Sequence, residues 1–295
     1  MEKSAVAYVV ITPVRDEEAY IQKTIQSMIA QTLKPVLWVI VDDCSKDKTP
    51  EIVSRYVQLY SFIRLLRNSH GGIRQPGSGV IRAFNQGYAS IGEVSYDYII
   101  KLDGDLSFEP DYFEKLLNRF LSDSRLGIAS GIYLEMDEAG AWTEVEMPSY
   151  HAAGACKILR RECFKEIGGF IIAAGWDTVD EIRARAKGWK TGHFPDLRMR
   201  HHKPEGSGIG ATRTNLMHGE IYYLTGGSKL FLLLKVIHRM RAKPYLLSAL
   251  ALSWGYLRAV LTRKELLVTK EEKPIYQALL RERLWIQVKA LLGGS

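Results

Sequence analysis

Between residues 5 and 121 the chain alternates short, almost wholly apolar runs with longer stretches in which apolar residues recur every three or four positions. The runs AVAYVVI (5–11), VLWVIV (36–41), FIRLL (62–66) and YIIKL (98–102) are rich in β-branched and aromatic residues and predict strands. The stretches 17–31, 50–59, 80–90 and 110–121 predict helices, the last opened by Pro110, which suits a first turn. Strands that alternate with helices form βαβ units, so this half predicts a doubly wound α/β fold on a mainly parallel sheet.

From residue 126 the pattern is mixed: strands are expected at 128–135 and 142–147, a helix at 160–167 stopped by Gly168-Gly169, and a helix at 178–187 stopped by Gly188. The segment KPEGSGIGATR (203–213) has too few apolar residues to pack and predicts a mobile loop. A first domain is therefore expected at 1–212. The remainder, 213–295, reads as helical, with apolar stripes at 228–240, 244–261 and 271–292 interleaved with Lys and Arg.

With 295 residues and 46% hydrophobic content the chain can bury a large core, which excludes a disordered protein. Cys44, Cys156 and Cys163 show no paired or zinc-ligand spacing and suit a reducing compartment. The apolar run before Pro13 is about seven residues, too short for a signal-peptide core or a membrane span, so a cytoplasmic start is expected. The net charge of +7 is uneven: residues 211–295 hold 14 Lys+Arg against 5 Asp+Glu, leaving 26 against 28 before them. No zinc finger, RNA-recognition motif or evident helix-turn-helix accompanies the basic third, so no nucleic-acid partner is expected.

Open α/β sheets bind ligands beyond the carboxyl ends of their strands, and here those ends are acidic. The second strand runs into VDDCSKDKT, with Asp42 and Asp43 followed by Ser45, Asp47 and Thr49; alone, this is equally a strand end with a helix cap. The strand 98–102 runs into Asp103-Gly104-Asp105, where a turn over Gly104 lets two carboxylates converge on one hard divalent cation, or merely caps a turn. Several carboxylates at one sheet edge repel unless a cation relieves them, and a divalent metal with a nucleotide diphosphate does so.

The ordered set VVITPVRDEE, SMIAQT, VDDCSKDKT, Arg82 with Asn85 and Gly87, Asp103-Gly104-Asp105, RRECFKEIGGF and DTVDEIRARAKGWKT followed by a histidine resembles glycosyltransferase family 2, over roughly residues 5–202. The resemblance implies a GT-A fold and inverting transfer from a nucleotide sugar, UDP favoured over GDP. It places Pro13, Glu17 and Asp43 against base and ribose, adds Arg82, Asp103 and Gly104 to the donor site, and gives Mn²⁺ or Mg²⁺ to Asp103 and Asp105. His201 or His202, after the last strand, would be a further ligand, His201 first. Asp177 would be the general base and Asp180 the second choice. Three departures stand out: Trp176 where the family carries glutamate, Arg15-Asp16 where it carries an aromatic residue and asparagine, and Cys44 where it often carries glycine.

The acceptor implied is a glycan or a lipid-linked sugar. Around the apolar stripes stand Lys229, Lys235, Arg239, Arg241, Lys243, Arg258, Arg263 and Lys264, so the tail suits an anionic membrane surface, with peripheral attachment at the inner face of the cell membrane. A helical subdomain or a homo-oligomer contact is the other reading. Two rival functions are a sugar-nucleotide nucleotidyltransferase, against which TPVRDEE lacks the glycine-rich phosphate loop, and a non-catalytic glycan-binding or scaffold relative.

Overall fold

The computed structural model describes residues 6–68, 77–203, 210–240 and 245–291. Most of the glycine-rich segment after Lys203 lies outside the described residues, as do Arg241 and Lys243. The chain divides into two compact units, one of residues 1–177 and 187–203, the other of 178–186 and 204–295.

In the first unit the four apolar runs form parallel strands β1 (Tyr8–Val14), β2 (Leu37–Asp42), β3 (Ile63–Arg67) and β4 (Tyr98–Leu102) in the order β3-β2-β1-β4. Every residue of β2 and β4 is buried, which is why these strands read as continuous apolar runs rather than alternating ones. Alternate side chains serve opposite faces. Tyr8, Val10, Trp38 and Ile40 pack with α1 (Ile21–Ile29), α2 (Thr49–Leu59) and α4 (Tyr112–Ser122), which contribute Ile25, Val53 and Phe113. On the other face α3 (Ser78–Ala89) lies so close that a Cβ on Gly87 would stand 2.7 Å from Ile11 and 2.8 Å from Val41.

The sheet continues as a mixed half: β8 (Cys156–Arg160) runs antiparallel to β4, then β6 (Leu126–Met136), β9 (Lys190–His201) and β5 (Leu106–Phe108), with β7 (Trp142–Glu144) paired to β6. The helix expected at 160–167 is the short α5 (Arg161–Glu166), because the preceding CKILR is recruited as a fully paired strand beside β4. α6 (Trp176–Ala186) begins two residues earlier than its glycine stop and charge pattern imply. Residues 17–20 form a turn instead of the first turn of α1, with Tyr20 and Ile21 donating to the Glu17 carbonyl.

The second unit contains α7 (Ala211–Leu224), α8 (Lys229–Arg239), α9 (Tyr245–Leu261) and α10 (Glu272–Leu291). α7 and α9 cross at Gly219 and Gly255, where added Cβ atoms would lie 1.9 Å from the Leu252 carbonyl and 2.0 Å from that of Leu216. Only glycine allows backbones to approach so closely. Among the described residues no helix is long and apolar enough to cross a membrane.

Candidate active site

Two loops at the carboxyl ends of β1 and β2 are laced together by the polar residues of VDDCSKDKT. Asp16, Glu17 and Glu18 donate their backbone N–H groups to Ser45 Oγ (2.9 Å), Thr49 Oγ1 (2.8 Å) and Asp47 Oδ2 (2.9 Å). In return Lys46 N–H donates to Asp16 Oδ1 and Lys48 N–H to Glu18 Oε2. Much of that motif therefore holds Glu17 in place. Asp16 (φ 55°) and Cys44 (φ 61°) both adopt the left-handed conformation that favours Asn and Gly. Pro13 occupies β1 where the ladder to β4 has already ended at Ile11, so its missing N–H breaks no bond on that side. Asp43 accepts from Asn68 Nδ2 at 3.2 Å and lies 3.8 Å from the Arg15 guanidinium.

The third acidic segment arrives by register. β5 follows Asp105 directly and pairs antiparallel with the end of β9, Leu106 opposite His201, while His202 N–H donates to the Asp105 carbonyl. Asp105 Oδ2 consequently lies 3.6 Å from His201 Nε2. Gly104 makes this possible: a Cβ there would stand 2.7 Å from Val14 and 3.8 Å from the Glu17 side chain. The two histidines diverge, as neighbours on a strand must. His201 Nδ1 meets Glu135 Oε1 at 2.9 Å on β6, whereas His202 Nε2 meets Ser107 Oγ at 2.8 Å between Tyr20 and Trp142.

Each acid of this group has an internal cation. Lys101 Nζ donates to Asp103 Oδ1 and to the Gly154 carbonyl, Lys203 Nζ donates to Glu17 Oε1 (2.6 Å), and His201 stands between Asp105 and Glu135. Burial works against a charged His201, but hydrogen bonds to Asp105 and Glu135 outweigh it and push its pKa up to about 10. Burial also raises Asp103, opposed by the Lys101 ammonium and reinforced by Asp105. Glu17 is pushed up to about 7, chiefly by burial, with Lys203 opposing and Asp105 adding to the rise. Two buried oxygens, Asp105 Oδ1 and Glu17 Oε2, have no hydrogen-bond partner.

Asp177 lies in the first turn of α6 rather than capping it, and a Cβ on Gly154 would come within 3.3 Å of its Oδ2. Its backbone carbonyl accepts from Lys157 Nζ at 2.6 Å. Trp176, in place of a glutamate, is buried with the Lys101 and Lys157 ammonium groups each 5.4 Å from its ring. Asp180 is buried in the second unit and accepts from the N–H of Glu181 at 2.6 Å. Arg82 is exposed on α3 and donates to Ser78 Oγ.

The structure thus gathers Glu17, Asp103, Asp105 and His201, and adds Lys101, Glu135, Lys157 and Lys203, which sequence reasoning passes over. The signal for two of these is present: a lysine among the apolar residues of YIIKL and CKIL must be compensated when the strand is buried. Glu135 and Lys203 acquire meaning only through the pairing of β6, β9 and β5. No three His, Cys, Asp or Glu side chains among the described residues already form a closed cation cage. The oxygen-rich donor set and the partnerless Asp105 Oδ1 nevertheless fit a hard divalent cation, which needs unoccupied oxygens and tolerates one imidazole.

Residues 9–174 match the family described as Glycosyl transferase family 2. Glycosyltransferase GlyA of Streptococcus pneumoniae is 32% identical over 130 residues, 44% of this chain and 17% of that protein. Cholesterol galactosyltransferase of Borreliella burgdorferi is 28% identical over 161 residues, 52% of this chain and 42% of that one. The match therefore spans less than half the length of either relative. The mannosyltransferase PcManGT from Pyrobaculum calidifontis, solved in complex with GDP-Man and Mn²⁺, superposes with a TM-score of 0.56 at 16% identity, over 99% of this chain and 89% of that one. At that identity the likeness concerns the fold, which is GT-A.

Proposed function

The chain belongs to glycosyltransferase family 2, and from that premise we propose that it transfers a sugar from a nucleotide-diphosphate donor, a UDP-sugar before a GDP-sugar, with inversion at the anomeric carbon. The acceptor we assign is a glycan or a lipid-linked sugar, met at an anionic membrane face to which the basic C-terminal helices bind. One observation carries the reading: register and Gly104 bring Asp105 beside His201 and next to Glu17, leaving two carboxylate oxygens buried without partners.

Asp103, Asp105 and His201, the last after releasing its Nε2 proton to solvent, would hold Mn²⁺ or Mg²⁺, which when bound neutralises the diphosphate leaving group. The nearby solved relative binds Mn²⁺, in keeping with this assignment. Glu17, oriented by Lys203, and Asp43, oriented by Asn68 and Arg15, accept hydrogen bonds from base and ribose, with Pro13 lining the same pocket. Asp177 takes the proton of the acceptor hydroxyl as that oxygen attacks the anomeric carbon from the face opposite the leaving group. The new C–O bond forms as the bond to the diphosphate breaks, and the proton passes from Asp177 to solvent. Glu135 holds His201 through Nδ1, leaving Nε2 directed at Asp105.

Thermal unfolding with UDP- and GDP-sugars, with and without Mn²⁺, tests the assignment. Metal-dependent stabilisation by at least one donor is expected, lost in Asp103→Asn and Asp105→Asn. Asp177→Asn is expected to keep donor binding and lose transfer. No stabilisation by any nucleotide sugar would sink the enzyme reading, and an inactive Asp180→Asn beside an active Asp177→Asn would move the base to Asp180.

A further inference from the structure

α9 is packed inside out. At about 100° per residue, Leu246, Leu250, Trp254, Leu257 and Leu261 fall within an arc of about 80°. All five are exposed, Leu250 at 65% and Trp254 at 54%. The opposite side, Ser248, Leu252, Gly255 and Ala259, is buried, and its small residues allow the close crossing with α7. α8 repeats the arrangement: Leu230, Leu233, Leu234 and Ile237 form an exposed stripe, while Phe231 is the buried residue of that helix. Large aliphatic side chains left in water on two successive helices are a cost that a water-soluble surface normally avoids.

Cations border both stripes. Lys229 opens α8, Arg258 rises from α9, and Arg263 follows Leu261 by two residues, all exposed. Arg258 and Lys264 approach Glu220, but with these three included residues 211–295 hold 14 basic against 5 acidic side chains, so the surplus of cations stands. A second copy docked face to face would set these like charges against one another, whereas an anionic surface satisfies them. α9 also cannot serve as a span: it has 17 residues and one side committed to α7. An apolar stripe bordered by cations on a helix too short to cross describes an element lying in the plane of a bilayer interface.

We propose that the exposed stripes of α8 and α9 insert side by side into the headgroup boundary of an anionic lipid leaflet, with Lys229 and Arg263 on the lipid phosphates. The inference rests on the membrane placement of the acceptor proposed above and assigns it to a surface, yet lipid binding can be measured without any sugar transfer.

The experiment is flotation of the full chain with vesicles of phosphatidylcholine alone or mixed with phosphatidylglycerol. The protein is expected to float with the anionic vesicles and to be released by salt. Leu250→Ser combined with Leu257→Ser is expected to lower partition about tenfold or more, with melting and metal-dependent donor binding unchanged. Lys229→Glu with Arg263→Glu, which alters no packed residue, is expected to weaken binding to anionic vesicles alone. Equal flotation of the leucine variant, binding indifferent to phosphatidylglycerol, or a lipid-free dimer that the leucine variant splits into monomers without vesicle binding would each overturn the proposal. Loss of flotation with donor binding intact would remove the membrane surface and leave the transferase assignment standing.

Discussion

Replacing Glu17 by glutamine removes a carboxylate that its surroundings keep only against resistance. The side chain is 12% exposed, one oxygen accepts from Lys203, and the other is buried without a partner beside Asp103 and Asp105. Its pKa rises from 4.5 to about 7. In the unfolded chain the group ionises near 4.5; in the folded protein it holds its proton to about 7, so between these values the folded state binds more protons. Stability is therefore complete below 4.5 and falls as pH rises through about 7. At about 1.4 kcal/mol per pH unit the loss amounts to about 3 kcal/mol at most. Glu17→Gln, which mimics the protonated form, should match the native protein at low pH and exceed it by about 2–3 kcal/mol near pH 8.5, about 5 °C or more in melting temperature. Urea and thermal unfolding of both proteins across that range provide the measurement. A difference that stays flat with pH, or a glutamine variant less stable at high pH, would refute the account. Mn²⁺ with a nucleotide sugar should shrink the difference, because a cation beside Asp103 and Asp105 favours the charged Glu17.

Two further substitutions probe the scaffold. Cys44 sits at φ 61°, so Cys44→Gly should be tolerated while Cys44→Val lies about 1–2 kcal/mol below it in urea unfolding; equal stabilities would mean that the turn changes conformation freely. Gly219→Ala sets a methyl group 1.9 Å from the Leu252 carbonyl and should cost about 3 kcal/mol or more, read as a lowered melting temperature; an unaffected protein would show that α7 and α9 can part without loss.

The parallel half of the sheet is legible because β1, β2 and β4 are buried on both faces and each connection is a helix, so burial is written locally. The mixed half is not. β8 continues without a break into α5, so CKILRRECFKE carries strand and helix periodicities in succession. β9 contains Gly192 and Pro195 and alternates only near its end, and β5 is three residues long. These strands exist because neighbours recruit them, a non-local cause that no window of sequence contains. The site divides along the same line. Glu17, Asp43, Asp103 and Asp105 follow predictable strands and are visible as motifs, whereas the choice between His201 and His202 depends on the register in which β5 pairs with the end of β9. VDDCSKDKT shows the opposite limit: a motif that suggests ligand binding spends Ser45, Asp47 and Thr49 on fastening one loop to another.

The matching of each acid to an internal cation bears on how the site would accept a metal. Lys101 is 3% exposed and lies on Asp103, itself 30% exposed, so before any cation enters, Asp103 already has its counter-charge. A metal at Asp103 must share that carboxylate with the ammonium or displace it toward the Gly154 carbonyl, which Lys101 also holds. Internal ion pairs of this kind keep a cluster of acids folded without metal, at the expense of metal affinity. Lys101→Met exposes the trade-off. Loss of one partner of a largely buried pair costs about 3–5 kcal/mol when both groups are dry, and about half that here because Asp103 retains contact with water. The variant should melt lower without metal, yet Mn²⁺ should raise its melting temperature by more than it raises that of the native protein, since the ion then supplies the missing charge. Calorimetric titration without any sugar donor measures the same coupling as tighter Mn²⁺ binding. An equal or smaller Mn²⁺ response in Lys101→Met would mean that Asp103 does not meet the metal, and would leave Asp105 and His201 to hold it without that carboxylate.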